Sequence, residues 1–144
     1  MAIRNSLAVT QGKGGVGKTT VVANLAGLFA NAGYRVLVGE FDPQGNLARD
    51  FGYEPVDGMA LLSALISGSP PPLLKGVREN LDVIPAGAAL ADVAGMMLSR
   101  TSRGGESLGQ LLGKVLAHVA GDYDIVLFDT PPGDVIIVDA VLTC

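Results

Sequence analysis

Cysteine is almost absent from this chain of 144 residues, and the single one is Cys144. One thiol can neither staple a fold nor hold a metal cluster, and it suits a reducing, cytoplasmic setting. Long apolar runs are also lacking, although the mean hydropathy is +0.42. Asn24 and the stretch Ser67-Gly68-Ser69-Pro70-Pro71-Pro72 interrupt the uncharged segments before about 18 apolar residues accumulate, so no membrane span is read. The amino terminus runs straight into a strand and shows no leader pattern. Positive charge is in deficit, with 10 Lys and Arg against 14 Asp and Glu and a net charge of −4. The chain as a whole is therefore not drawn to nucleic acid or anionic membrane, which leaves room only for a local basic patch. Its one histidine, His118, has no acidic or thiol neighbour in sequence and reads as a surface residue rather than a catalyst or ligand. At this length the chain makes one domain at most, with enough residues to bury a sizeable core.

Against these absences stands one dense signal, Gly12-Lys13-Gly14-Gly15-Val16-Gly17-Lys18-Thr19-Thr20. Leu7-Ala8-Val9 before it reads as the end of a buried strand, and Val21 to Phe29 after it carries apolar residues at helical spacing. Strand, glycine-rich loop and helix form the context that a phosphate-binding loop requires. Gly12, Gly17, Lys18 and Thr19 meet its pattern, G-x-x-x-x-G-K-[ST]. Glycines let the backbone curl and turn several N–H groups toward one anion, and the helix that follows adds the positive end of its dipole. Lys18 is placed to reach terminal phosphates, and Thr19 to offer its hydroxyl to Mg²⁺.

Along the chain, Ile3 to Val9 is expected as the first strand and residues 18–32 as the helix, closing at Gly33. Arg35 to Phe41 reads as a second strand covered on both faces. It leads into Asp42-Pro43-Gln44-Gly45-Asn46, a segment of turn formers. Residues 58–66 suggest a short helix, Leu81 to Pro85 a third strand, and Ala88 to Leu98 a helix weakened by Gly95. Arg100 to Gly105 reads as a mobile loop. Leu108, Leu111, Leu112, Val115, Leu116 and Val119 recur at helical spacing.

Asp124 to Asp129 is expected as the fourth strand, ending in a carboxylate suited to steer Mg²⁺ through its water shell. Thr130-Pro131-Pro132-Gly133 follows as a stiff turn placed to sense a γ-phosphate. Strands separated by helices imply an α/β fold with a parallel sheet, flanking helices and ligands at the strands' carboxyl ends. Asp42 then shares an edge with the phosphate loop.

The early lysine, Lys13, has no task in an ordinary phosphate loop. With it, the stretch from Lys13 to Thr19 resembles the deviant Walker A motif of the ParA/MinD superfamily of P-loop ATPases. Asp42-Pro43-Gln44-Gly45-Asn46 and Asp129-Thr130-Pro131-Pro132 are similar to the DPQGN and DTPP segments of ParA-type partition ATPases. Asn24-Leu25-Ala26 and Leu81 to Pro85 also fit, so the resemblance covers essentially the whole chain. It implies an ATP-dependent homodimer in which Lys13 crosses to the partner's nucleotide, and Lys18 binds β- and γ-phosphate. It further implies Asp42 as the residue that orients the attacking water, with non-specific DNA and a centromere-binding partition protein as partners.

Two departures are visible. Where the family usually has aspartate two residues before the water-orienting acid, this chain has Glu40, whose carboxylate reaches one methylene further. Relatives of this type also run on well past DTPP, so residues 1–144 are expected to form a partial domain whose later strands are missing. Propensity suggests a strand at Val135 to Val138; the resemblance suggests a helix through Leu142, which is the expectation adopted. A MinD-like positioning ATPase and a nucleotide-binding remnant without turnover remain the alternatives, and iron–sulfur relatives are disfavoured by the cysteine count.

Overall fold

The computed structural model describes residues 5–9, 17–131 and 135–144. The strand β1 (Ser6–Val9) leads to α1 (Lys18–Asn31), β2 (Val36–Glu40) and the short α2 (Leu47–Phe51). Next come α3 (Met59–Ser67), β3 (Leu74–Arg78) and β4 (Leu81–Ile84). A 3₁₀ turn at Ala88–Asp92 opens α4 (Val93–Ser102), and α5 (Leu108–Ala117), β5 (Ile125–Asp129) and α6 (Val135–Thr143) complete the order. The five strands form one sheet in the order β1-β5-β2-β4-β3. Every pairing is parallel except that of β3 with β4.

The largely apolar β2 run does face two cores. Val36 and Val38 pack with Val22, Ala26 and Leu47 under α1 and α2, while Leu37 packs with Leu65, Leu116 and Phe128 under the other helices. This is alternation hidden inside a hydrophobic run, as expected where helices cover both faces. Gly39 has a packing reason: a Cβ there would sit 2.8 Å from the Phe41 ring, which stacks at 5.7 Å on Phe128.

Helix α1 buries Val22, Ala26 and Ala30, one stripe at i, i+4, i+8, and leaves Leu28 in solvent. Gly33, at φ +94°, ends it as expected. Helix α5 starts with a reciprocal cap between Ser107 and Gln110 and buries Leu111, Leu112, Val115 and Leu116. His118 is exposed, its Nε2 2.9 Å from the Gly68 carbonyl, in line with the surface reading.

Several local expectations change. The stretch from Leu74 to Arg78 is a strand, paired to β4 through a tight turn in which Asn80 takes φ +61°. Helix α4 runs through Ser102, so the loop expected from Arg100 begins later; the amides of Gly104 and Gly105 bond back to Thr101 and Arg100. Val135–Thr143 keeps the adopted expectation, a helix, despite its β-branched residues, and it packs on α5. The approach is close at Gly109, where a Cβ would stand 2.3 Å from the Thr143 hydroxyl. Among the described residues, β1 pairs only with β5, and Leu7 on it is exposed. No helix among them is long and apolar enough to cross a membrane.

Candidate functional site

Parallel strands place their carboxyl ends on one rim, and there the structure gathers its buried polar side chains. Glu40, Asp42, Asp129 and Thr130 make up the buried polar set among the described residues, and Glu40, Asp129 and Thr130 have no exposed surface. Gly17 caps α1 in the left-handed region at φ +80°, which a glycine adopts without a Cβ penalty. Its carbonyl accepts from the Val21 amide at 3.0 Å. Gly12, Lys13, Gly14, Gly15 and Val16 lie outside the described residues, as do the Lys18 side chain and, in the turn after β5, Pro132 and Gly133.

Thr19 and Asp129, 110 residues apart, meet directly: the Thr19 hydroxyl donates to Asp129 Oδ2 at 2.9 Å. Asp42 sits on the neighbouring strand's continuation. The last ladder bond between these strands runs from the Phe41 amide to the Asp129 carbonyl at 2.9 Å, one residue before Asp42. Asp42 Oδ1 accepts from the Gln44 amide at 3.0 Å, and its carbonyl from the Gly45 amide at 3.1 Å, so the side chain is held by its own turn. Thr130, expected beside a γ-phosphate, is buried and donates its hydroxyl to the Val9 carbonyl at 2.9 Å. That bond fastens the end of β5 to the entry of the glycine-rich loop. Thr20 is exposed and lines a surface groove with Asn24 and Asp50.

The donor set suits a hard divalent cation. A hydroxyl and a buried carboxylate stand within hydrogen-bond distance, with a second acid on the adjacent strand. Magnesium is ordinarily held by one or two such oxygens together with phosphate and water, not by an all-protein cage. Among the described residues, no group of three or more His, Cys, Asp or Glu forms such a cage.

Glu40, two residues before Asp42, is fully buried and takes three hydrogen-bond donors. Its Oε1 accepts from the Leu47 amide at 3.0 Å, and its Oε2 from the Tyr53 hydroxyl at 2.7 Å and the Ala86 amide at 3.4 Å. Loss of water pushes its carboxyl up, these donors pull it back, and the nearby Asp129 charge adds to the rise. Burial and the Glu40 charge raise the Tyr53 hydroxyl, which stays protonated as the donor. Tyr53 carried no signal in the sequence. It belongs to no motif, and only the path of the chain through α2 returns it to β2.

The model of a family described as an AAA domain matches residues 4–144. The chain belongs to that family. Within it the sequence is of ParA/Soj type. It is 38% identical over 129 residues to chromosome partitioning protein ParA of Caulobacter vibrioides, an alignment covering 88% of this chain and 47% of that protein. It is 36% identical to sporulation initiation inhibitor protein Soj of Bacillus subtilis, over 88% of this chain and 49% of that one. The chain thus spans about half the length of the curated relatives it matches. Among solved structures, cobyrinic acid a,c-diamide synthase from Mycobacterium smegmatis with bound ATP analog and magnesium superposes with a TM-score of 0.81 at 33% identity. That likeness covers 96% of this chain and 54% of the synthase. The fold is that of the P-loop ATPases, as the glycine and lysine spacing implied.

Proposed function

We propose that this chain carries the nucleotide half of a ParA/Soj-type switch, an ATPase that binds ATP with Mg²⁺ and hydrolyses it to change state. The observation that carries the reading is the 2.9 Å bond from Thr19 to the buried Asp129, with Asp42 on the neighbouring strand at the same rim. The backbone of Gly12 to Thr20 would wrap the phosphates, and Lys18 would neutralise the β- and γ-phosphates. Thr19 would ligate Mg²⁺ directly and Asp129 would support it through water; the ion supplies charge stabilisation and orientation for phosphoryl transfer. Asp42, held by its turn, orients the attacking water, and Lys13 adds positive charge to a partner subunit's nucleotide. Positioning and electrostatics account for such a reaction, since little covalent chemistry falls to the protein. A cytoplasmic homodimer that forms with ATP, holds non-specific DNA and answers to a centromere-binding partner is the assembly that the ParA/Soj type supports.

Phosphate release and ATP binding measured together test this. The parent protein is expected to bind Mg-ATP and release phosphate slowly. Lys18→Ala is expected to lose binding, and Asp42→Ala to bind while its turnover falls by about 100-fold or more. A Lys18→Ala protein that holds ATP as well as its parent overturns the reading. Binding without release in the parent, unchanged by Asp42→Ala, makes the chain a nucleotide-binding module instead.

A further inference from the structure

We propose that Glu40 and Tyr53 form a positioning clamp that sets the Asp42 loop for hydrolysis, with Glu40 serving this loop and not the metal. The inference rests on the ATPase reading above and names two residues that act through Asp42.

Glu40 is the last residue of β2, and its three donors come from three segments that surround the loop. Leu47 opens α2 just after the loop, Tyr53 follows α2, and Ala86 follows β4. The bond from the Leu47 amide to Oε1 therefore closes a ring across seven residues, with Asp42 to Asn46 inside it. Within the ring, Gly45 stands at φ +65°, and a Cβ there would lie 3.5 Å from the Ala86 carbonyl and 3.9 Å from Glu40 Oε1. Moving the Glu40 carboxylate would thus release the Leu47 amide, the bond that closes the segment holding Asp42.

Side-chain length decides the partner set. An aspartate at residue 40 is one methylene shorter, about 1.5 Å of reach, and it cannot keep the Leu47 and Tyr53 bonds together without a shift of the backbone. Glutamate and Tyr53 belong together for that reason. Burying an acid beside Asp129, its register partner on β5, is unfavourable unless its oxygens are well supplied with donors. Here each oxygen has at least one. A carboxylate so engaged is turned to the loop, whereas Asp129 is turned to Thr19.

The test uses Tyr53→Phe, Glu40→Asp and the double variant, each first checked for a cooperative melt. Single-site Tyr53→Phe is expected to keep its affinity for Mg-ATP within about twofold while kcat falls about tenfold, the effect of one lost hydrogen bond to a charged group. The double variant is expected to fall no further than the worse single one, since both break one interaction. Amide exchange at Leu47 and Ala86 is expected to speed up in Tyr53→Phe. Unchanged kcat in Tyr53→Phe, or fully multiplicative losses in the double variant, overturns the clamp. So does a Glu40→Gln protein whose Mg²⁺ requirement rises tenfold, which would make Glu40 a metal group. If the parent releases no phosphate the ATPase reading fails by itself. The exchange measurement still decides the clamp, because unchanged protection at Leu47 refutes it.

Discussion

The two ends of β2 and β5 handle charge in opposite ways. At the amino ends, Arg35 meets Asp124 at 3.2 Å with their side chains 60% and 39% exposed. At the carboxyl ends, Glu40 and Asp129 stand in register with no exposed surface at all. Water already solvates the first pair, so its removal leaves little behind. The second pair has lost water and depends on named donors, which makes every partner consequential. Acids that folding would rather exclude have collected where the chemistry is expected, and the inexpensive pair sits at the far end of the same strands.

The comparison breaks hardest at Asp129. Asp129→Ala removes the acceptor of the Thr19 hydroxyl, and the Mg²⁺ concentration needed for phosphate release is expected to rise roughly 10- to 100-fold. A magnesium titration of the parent and the variant measures it; an unchanged midpoint would show that the buried acid serves folding alone.

Next in size is the cost of emptying the buried end. Glu40→Ala leaves the Leu47 and Ala86 amides and the Tyr53 hydroxyl without their acceptor, and is expected to destabilise by about 2–4 kcal/mol in urea unfolding. Leu127→Ala, between the two ends of β5, gives the scale for ordinary core loss at about 3 kcal/mol. An effect of Glu40→Ala below half that of Leu127→Ala would mean that water replaces the missing carboxylate.

The smallest effect belongs to the exposed end. The Arg35 guanidinium and backbone amide hold the Asp124 carboxyl below its ordinary value of 3.8. A depressed folded-state value means that the stabilisation is present above 3.8 and is lost as pH falls through the lower, folded value. The urea midpoint of Asp124→Asn is therefore expected to lie slightly below the parent's at neutral pH. The gap should close under acid and shrink in high salt. A gap that widened with acid would reverse the sign of the interaction.

Much of this was legible in residue order. The spacing of Leu108 to Val119 announced α5, and the apolar runs before Glu40 and Asp129 announced β2 and β5, because side-chain periodicity is a local property. Asp42 and Asp129 could be assigned to one rim because parallel strands end together. The strand β3 could not be read: Lys75, Gly76 and Arg78 look like loop, and they become a strand only by pairing with β4. The five residues of α2 are too few to show a period. What the longer side chain of Glu40 does could not be read from its place two residues before Asp42, because its donors come from Leu47, Tyr53 and Ala86.

By itself the residue order determined most of the strands and longer helices, and which acids end the central strands. Short-range sterics and periodic burial decide these things within a few residues. Only the tertiary structure decided that Thr19 meets Asp129 across 110 residues and that Glu40 answers to Ala86 across 46. Such contacts follow from the strand order β1-β5-β2-β4-β3, in which neighbours in space are distant in sequence, and no local rule carries that information.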